Sequence, residues 1–242
     1  MTTATTIANA LRALAPGKAL ASADVPLIDR LAAQWDARGS AVRTMHDVGA
    51  FFAGVRKVTG ALKQVQVDTI TGLLASAAHW PLSWLAYGLA TAWHEARFVP
   101  IEEIGKGRGK RYATPGARSN GKLGPVYSGQ APYGRGLVQV TWVDNYEWLD
   151  AAAAAAGLIA KGDLLKNFNL ALRPDIAALA VVKGMEDGAY TTRKLADYLP
   201  AARGTQPQFE QARRIINGTD KMAMIAGYAL KFQDAIVAGR WA

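Results

Sequence analysis

The chain has 242 residues, of which half are hydrophobic and 19% are charged, a composition that permits one sizeable core and excludes a largely disordered chain. It contains no cysteine, which excludes disulfides and thiolate catalysis, and with only three histidines it shows no obvious metal cluster. The net charge of +9 predicts attraction to a polyanion, with nucleic acid, anionic lipid and an anionic cell wall as the candidates.

The first 50 residues are predicted to form a helical extension. A short helix over residues 5–15 ends at Pro16-Gly17, and a second helix begins at Ser22 or Asp24 and runs to about Arg38. The extension carries a net charge of only +1, from five basic and four acidic residues, and it shows no signal-peptide pattern. Wall binding and packing against the rest of the chain both remain open, and the helical spacing of its apolar residues favours packing.

Three helices are predicted between residues 46 and 97, over about residues 46–58, 61–76 and 82–97. Residues 69–93 carry no formal charge, which raises the question of a membrane span. Polar residues interrupt this stretch and Pro81 divides it, so two buried core helices are favoured and no stable membrane insertion is expected.

The second half of the chain combines a long loop with further helices. Residues 100–132 are rich in glycine and show little periodicity, which is typical of a functional or mobile loop. Residues 138–141 are predicted to form a short strand, because β-branched residues surround Gln139, and Asp144 is predicted to cap the following helix. Further helices are predicted over residues 174–188, 208–216 and 221–237. The fold class is therefore predicted to be mainly α.

The positive charge is concentrated between Arg97 and Arg135, a segment that contains eight lysines and arginines but only two glutamates. Such a charge run is either a solubilised surface loop or a groove for an anionic polymer. Because it surrounds a pair of adjacent glutamates, the position favours a groove.

Glu95, Glu102 and Glu103 are the candidate acid and base of a hydrolase. Hydrolysis of a glycosidic bond needs one protonated and one ionised carboxyl group in different environments. Glu95 ends an uncharged helix, where partial burial would favour the protonated form that a general acid requires. Pro100 separates it from the other two glutamates, so one helix does not hold both carboxyl groups and they are free to face each other across a cleft.

Several segments resemble those of glycoside hydrolase family 19, and the likeness is greatest to its phage-type endolysin branch. In chain order they are HEARFVPIEEIG, YGRGLVQVTWVDNY and ARRIINGTDKMAMIAGYA, supported by LKQVQVDTITGLL and GMEDGAYTTRKLADYL. The likeness spans roughly Val55 to Ala238, and nothing before about residue 50 takes part in it. It implies a lysozyme-like, two-lobed helical domain with a central cleft over residues 51–242, preceded by the helical extension over residues 1–50.

The resemblance also implies roles for individual residues. Glu95 matches the general acid, Glu103 the base that activates water in an inverting mechanism, and Thr141 the residue that helps to hold this water. Glu102 falls on a variable position of the same motif. Gln139, Asn145 and Asn217 match residues that line the cleft or contact the sugar, and His94 beside the acid matches the histidine of the family. Tyr133 is added from its residue type, as an aromatic side chain able to stack on a sugar ring.

The function that the resemblance implies is that of an endolysin, which cuts β-1,4 bonds of peptidoglycan and needs no metal or other cofactor. We expect a monomer that binds the wall polymer and not nucleic acid. It would accumulate in the cytoplasm of an infected or lysogenic host cell and reach the wall or periplasm with the help of a holin-type pore protein. Two alternatives remain: a chitinase, and a non-catalytic binder of wall polymer or nucleic acid on the same fold.

Overall fold

The computed structural model describes residues 42–242, and helices account for just over half of these residues. The helices predicted over residues 5–15 and up to Arg38 lie outside the described residues. The first three described helices are α1 (Val48–Thr59), α2 (Gln64–Ser76) and α3 (Leu82–Ala96). They confirm the three helices predicted between residues 46 and 97, with a break at Trp80-Pro81 as expected.

The later helices follow a loop-rich central segment. They are α4 (Val143–Ala155), α5 (Asp163–Lys166), α6 (Pro174–Asp187), α7 (Gln206–Ala212) and α8 (Met222–Ala238), with short 3-10 turns at Arg111–Ala113, Phe168–Leu172, Leu195–Asp197 and Arg213–Ile215. Pro174 begins α6 and Gly188, at φ 72°, ends it, as the sequence predicts. The predicted helix over residues 208–216 begins earlier, at Gln206, and its end is a 3-10 turn.

Two sets of helices share one continuous apolar core. In the first set, α8 packs against α1, α3 and α7; in the second, α6 packs against α2 and α4, and α4 against α5. Gly54 lets α1 approach α8 closely, because a Cβ at this position would lie 2.6 Å from the Cβ of Ala235. The ends of the unit Thr44–Trp241 meet where Met45 and Trp241 form a β-bridge.

A two-stranded antiparallel ribbon crosses the loop-rich segment. Its strands are β1 (Ile101–Glu102) and β2 (Arg135–Gly136), with Ile101 opposite Gly136 and Glu102 opposite Arg135. The strand predicted over residues 138–141 is wrong, because Leu137–Gln139 form a turn and only Val140 bridges back to Arg135. The β-branched pattern there reflects burial of Val138 and Val140 in the core rather than extended pairing.

The start of α4 also differs from the prediction. Trp142, at φ 69°, is the N-cap, and Asp144 lies within the first turn. The Asp144 carboxylate accepts hydrogen bonds from the backbone N–H (2.9 Å) and the hydroxyl of Ser119. Asp144 therefore fixes the preceding loop to α4 instead of capping the helix, and the predicted cap is wrong.

The class predicted from the sequence, mainly α, is confirmed for residues 42–242. None of the helices in this range combines the length with the apolar character that a bilayer-spanning helix requires.

Candidate active site

Glu95 lies in the last turn of α3, at the point where the helix ends abruptly. Arg97 and Phe98 both adopt positive φ, at 51° and 58°, and the buried Phe98 turns the chain away from the helix axis. The Glu95 side chain keeps 20% of its surface exposed, and its Oε1 accepts a hydrogen bond of 2.8 Å from Nη1 of Arg213. The carboxyl group is thus held by a cation while it remains accessible to solvent.

Arg213 is a buried cation whose side chain exposes only 3% of its surface. It occupies the 3-10 turn that follows α7, and its Nε donates to the carbonyl oxygen of Asp220 at 3.1 Å. The preceding residue, Ala212, accepts a hydrogen bond of 2.9 Å from the hydroxyl of Tyr87 on α3. This bond ties the turn to α3, so Arg213 meets Glu95 in a fixed geometry.

His94 adjoins Glu95 as an uncharged imidazole at neutral pH. Burial lowers its pKa, as do the cations Arg213, Lys221 and Arg97, and together they outweigh the opposing effect of Glu95. Its Nδ1 is buried without a hydrogen-bond partner among residues 42–242. His94 therefore adds no positive charge beside the carboxyl group.

Glu102 belongs to the ribbon and is directed at Tyr133 and Arg135. The hydroxyl of Tyr133 donates to Oε1 of Glu102, while Nε of Arg135 lies 3.9 Å from this oxygen and Nζ of Lys106 lies 3.8 Å from Oε2. The Tyr133 hydrogen bond, followed by the two cations, lowers the pKa of Glu102. These contacts favour a Glu102 that stays ionised.

Arg135 is the buried centre of this side of the ribbon. Its guanidinium lies over the Tyr133 ring at 3.6 Å from the centroid, and Nη1 donates to the hydroxyl of Tyr146 at 2.9 Å. Its Nε donates to Oδ1 of Asn169 at 2.9 Å. Tyr133 is therefore clamped between a cation and a carboxylate, and its hydroxyl is committed to Glu102.

Glu103 faces a different set of partners, all of them neutral. Its Oε1 accepts from the hydroxyl of Tyr112 at 2.7 Å, and its Oε2 accepts from the backbone N–H of Gly134 at 3.1 Å. Burial and the Glu103 carboxylate raise the pKa of Tyr112 to about 12, so the tyrosine remains a donor. Two hydrogen bonds thus orient Glu103 without placing a cation against it.

Two glycines make these contacts possible. Gly107 has φ 69°, and a Cβ there would lie 3.0 Å from the Tyr112 ring and 3.1 Å from Cβ of Tyr133. A Cβ at Gly134 would lie 2.7 Å from Oε1 of Gln139 and 3.3 Å from Cβ of Glu103. Glycine is therefore needed at these two positions because a larger residue would clash with the side chains around Glu103.

The predicted polar contacts have the following places in the structure. Gln139, at φ 53°, donates its amide to the carbonyl oxygens of Ile101 (3.2 Å) and Gly136 (3.1 Å). Asn145 donates to the carbonyl oxygen of Thr141 at 2.8 Å, and Thr141 is partly exposed. Asn217 is exposed just beyond the turn that carries Arg213. Their contacts with a substrate stay predictions.

The site residues fall into two groups. Glu95, His94 and Asn217 lie around Arg213, whereas Glu103, Tyr133 and Gln139 lie along the ribbon, with Thr141 and Asn145 on the segment that follows it. Within residues 42–242, no hydrogen bond or ion pair directly joins Glu95 to the ribbon group. The ends of α3 and of the turn after α7 therefore form one part of the candidate site, and the ribbon with its loop forms the other.

Arg213 and Tyr112 contact the candidate carboxyl groups but are not among the residues predicted from the sequence. The sequence does contain a pattern that points to Arg213, since the pair Arg213-Arg214 is followed directly by two isoleucines. An arginine that is buried with such an apolar segment needs a partner for its charge, so this pattern predicts a buried ion pair. For Tyr112 the sequence offers only an aromatic residue within a basic loop. Its role depends on the fold of that loop.

A scan against protein-family models, a search of curated proteins and a search of solved structures each found no match to this chain.

Proposed function

We propose that this chain is a glycoside hydrolase that cuts β-1,4 bonds of peptidoglycan by an inverting, two-carboxylate mechanism, as an endolysin of the family 19 type would. The observation that carries the proposal is the contrast between two carboxyl groups eight residues apart. Glu95 is bound by the buried cation Arg213, whereas Glu103 is held by the neutral donors Tyr112 and Gly134. Acid–base hydrolysis requires two such groups in unlike environments.

Glu95 is proposed as the general acid, the role that the resemblance to family 19 implies. Its Oε1 accepts a hydrogen bond from Arg213, and Oε2, which has no hydrogen-bond partner among the described residues, is the oxygen proposed to deliver the proton. Proton transfer to the leaving oxygen leaves a carboxylate, whose new charge Arg213 stabilises at once. The same arginine fixes the orientation of the carboxyl group before the reaction.

Glu103 is proposed as the base. Each of its oxygens accepts one hydrogen bond and keeps a lone-pair direction for a water molecule. Thr141 is proposed to hold this water, which attacks the anomeric carbon from the face opposite the leaving oxygen. In inverting enzymes this water occupies a gap of about 6.5–9.5 Å between the carboxyl groups.

A lysozyme-like, two-lobed cleft is part of this proposal. The first lobe would contain α3, α7 and α8 with Glu95, and the second would contain the ribbon, α4 and α6 with Glu103. His94 and Asn217 would contact the sugar chain from the first lobe, and Tyr133, Gln139 and Asn145 from the second. No cofactor takes part in these steps.

The substrate class rests on charge. Lys106, Arg108, Lys110 and Arg111 are exposed in the loop that follows Glu103. Among the described residues, only Lys106 of these four has a carboxylate partner, Glu102 at 3.8 Å. Such a surface attracts a polymer that carries carboxylates. Peptidoglycan carries carboxylates on its peptides, whereas chitin has none. We infer that a monomer acts on the wall after a holin-type pore protein releases it from the cytoplasm.

The test is mass spectrometry of the fragments released from purified peptidoglycan and from chitin. We expect soluble fragments from peptidoglycan, initially with the inverted anomeric configuration in NMR spectra. New reducing ends of N-acetylmuramic acid would identify a muramidase, and new ends of N-acetylglucosamine a glucosaminidase.

Glu95→Gln is the negative control, because it keeps the size of the side chain and the acceptor for Arg213 but supplies no acidic proton. Fragments from chitin alone would replace the proposal with a chitinase. A folded chain that releases no fragments from either polymer would overturn it.

A further inference from the structure

A small basic pocket lies beside the candidate base, at the start of α4. It has a volume of about 260 Å³, and its lining includes Arg111, Arg118, Lys122, Thr114 and Trp142. Three of these side chains are cationic, and none is among the predicted site residues. The volume suits a small charged substituent rather than a whole ligand of ordinary size, for which pockets of roughly 300–1,000 Å³ are usual.

The pocket has free positive charge. Arg118 is neutralised, because its Nη2 donates to both carboxylate oxygens of Glu147 at 2.6 and 2.8 Å. Arg111 and Lys122, in contrast, have no ion-pair partner within residues 42–242, and Nη2 of Arg111 donates only to the carbonyl oxygen of Gly121, at 3.2 Å. Two cations therefore face the pocket without a counter-charge from the described part of the chain.

The walls of the pocket are fixed by the fold. Ala117 and Leu123 form a β-bridge that closes the loop between them, and the backbone N–H of Val143 donates to the carbonyl oxygen of Ala117 at 2.9 Å. Asp144 binds Ser119 from the first turn of α4. The cations thus belong to a loop that is anchored to a helix. Because this loop is already ordered, binding of a ligand does not include the free-energy cost of ordering the loop.

The pocket adjoins the candidate base through two aromatic rings. Trp142 lines the pocket and packs edge-to-face on Tyr112, with the ring centroids 5.5 Å apart. The hydroxyl of Tyr112 in turn donates to Glu103 at 2.7 Å. Only Trp142 and Tyr112 therefore separate the pocket from the Glu103 carboxylate. A side group of a polymer bound at Glu103 would be able to reach the pocket.

We propose that this pocket binds a carboxylate of the peptide substituent on the glycan strand, with Arg111 and Lys122 as the charged donors and Trp142 as the apolar wall. This inference rests on the proposed function and adds the feature by which the substrate is distinguished from an uncharged amino-sugar polymer. The carboxylate of a short peptide fits the volume, and a guanidinium pairs with it through parallel hydrogen bonds.

The test compares two forms of one substrate: fluorescently labelled, peptide-bearing glycan strands, and the same strands with their peptide carboxylates converted to amides by a carbodiimide and ammonia. Binding is measured by fluorescence anisotropy with the Glu95→Gln chain, so that the strands are not degraded. Arg111→Gln/Lys122→Gln, added to this chain, is the pocket variant. Arg108→Gln/Lys110→Gln is its matched control, because it removes the same charge from the same loop outside the pocket.

We expect amidation to raise the Kd of the parent chain by roughly tenfold, the effect of two partly screened ion pairs. The pocket variant should lose most of the difference between the two forms, because its remaining cations attract the strand only at long range. The control, which removes two such long-range charges and leaves the pocket intact, should keep most of the difference. Equal binding of both forms by the parent chain would overturn the inference. The pocket variant would instead lose the same affinity, relative to the parent chain, for the amidated strands as for the unmodified ones if the pocket binds another anion, such as a wall phosphate. That result would also overturn the inference.

Failure of the proposed function is a separate result, because the binding assay needs no hydrolysis. A wild-type chain that releases no fragments, yet loses affinity on amidation only while Arg111 and Lys122 are present, would refute the hydrolase and retain the pocket.

Discussion

Replacing Glu95 by alanine and by glutamine should separate the structural role of this residue from its chemical one. In Glu95→Ala, Nη1 of Arg213 loses its acceptor, while the side chain, 3% exposed, keeps its hydrogen bond to Asp220. Breaking a buried ion pair by removing one partner costs about 3–5 kcal/mol. Because Glu95 is itself 20% exposed, water would reach the vacated space, and we expect a cost of about 3 kcal/mol, at the lower end of this range.

Glu95→Gln retains an oxygen that accepts from Arg213 and loses only the charge. Hydrogen bonds to charged groups contribute about 1.5–3 kcal/mol and neutral ones about 0.5–1.5, so we expect a loss of about 1 kcal/mol. For a domain of this size the two variants should melt about 6–12 °C and about 2–4 °C below the wild type, respectively. Both should lose hydrolytic turnover by about 10²–10⁴-fold, because neither supplies a proton.

The measurements are thermal unfolding followed by circular dichroism and release of reducing ends from peptidoglycan. Glu210→Ala is the control for the loss of a carboxylate, because Glu210 makes an exposed hydrogen bond to Gln206. We expect this control to change stability by less than about 0.5 kcal/mol. If Glu95→Ala and Glu95→Gln are equally stable, the reasoning about the buried pair is refuted. If folded Glu95→Gln keeps its turnover, Glu95 is not the acid.

Three further predictions concern the ribbon. Glu103→Gln should abolish most release of reducing ends, whereas Glu102→Gln should be mild, and the reverse order would contradict the assignment of the base. Gly134→Ala should lower kcat by about 10²-fold with little change in melting temperature, because its Cβ would displace Gln139 and Glu103; unchanged kcat would show that this contact is not needed. Tyr133→Phe should reduce stability at neutral pH, and the deficit should shrink in acid. The Tyr133 hydroxyl lowers the pKa of folded Glu102 from its ordinary 4.5, so its contribution is complete above that value and is lost as the pH falls through the folded pKa. Melting temperatures between pH 7 and pH 3 measure this, and a pH-independent deficit would contradict it.

The sequence by itself determined most of the longer helices among residues 42–242. Apolar spacing, Pro81 and Pro174 near helix starts, and Gly188 at a helix end are local signals, and local signals suffice because the hydrogen bonds of a helix are made within the segment. Pro81 and the polar residues likewise divide residues 69–93 between two helices, α2 and α3, instead of a membrane span.

The ribbon and the start of α4 depended on tertiary structure. β1 pairs with β2 across a gap of more than thirty residues, and nothing within either short strand records its partner. Burial in a helical core produced a β-branched pattern at Val138 and Val140, which sequence reasoning interpreted as a strand. The Asp144 side chain binds Ser119, which is distant in the sequence, and so it does not cap the helix as predicted.

The candidate site divides in the same way. The carboxyl groups were evident in the sequence because adjacent acids and a helix-terminal glutamate stand out among apolar and basic residues. Their environments were not evident, since Arg213 lies 118 positions from Glu95, and the hydrogen bonds to Glu103 come from a tyrosine in a loop and a backbone N–H across the ribbon. A sequence lists the charges, but only the folded chain decides which of them meet, because ion pairs and hydrogen bonds depend on distances of a few ångströms.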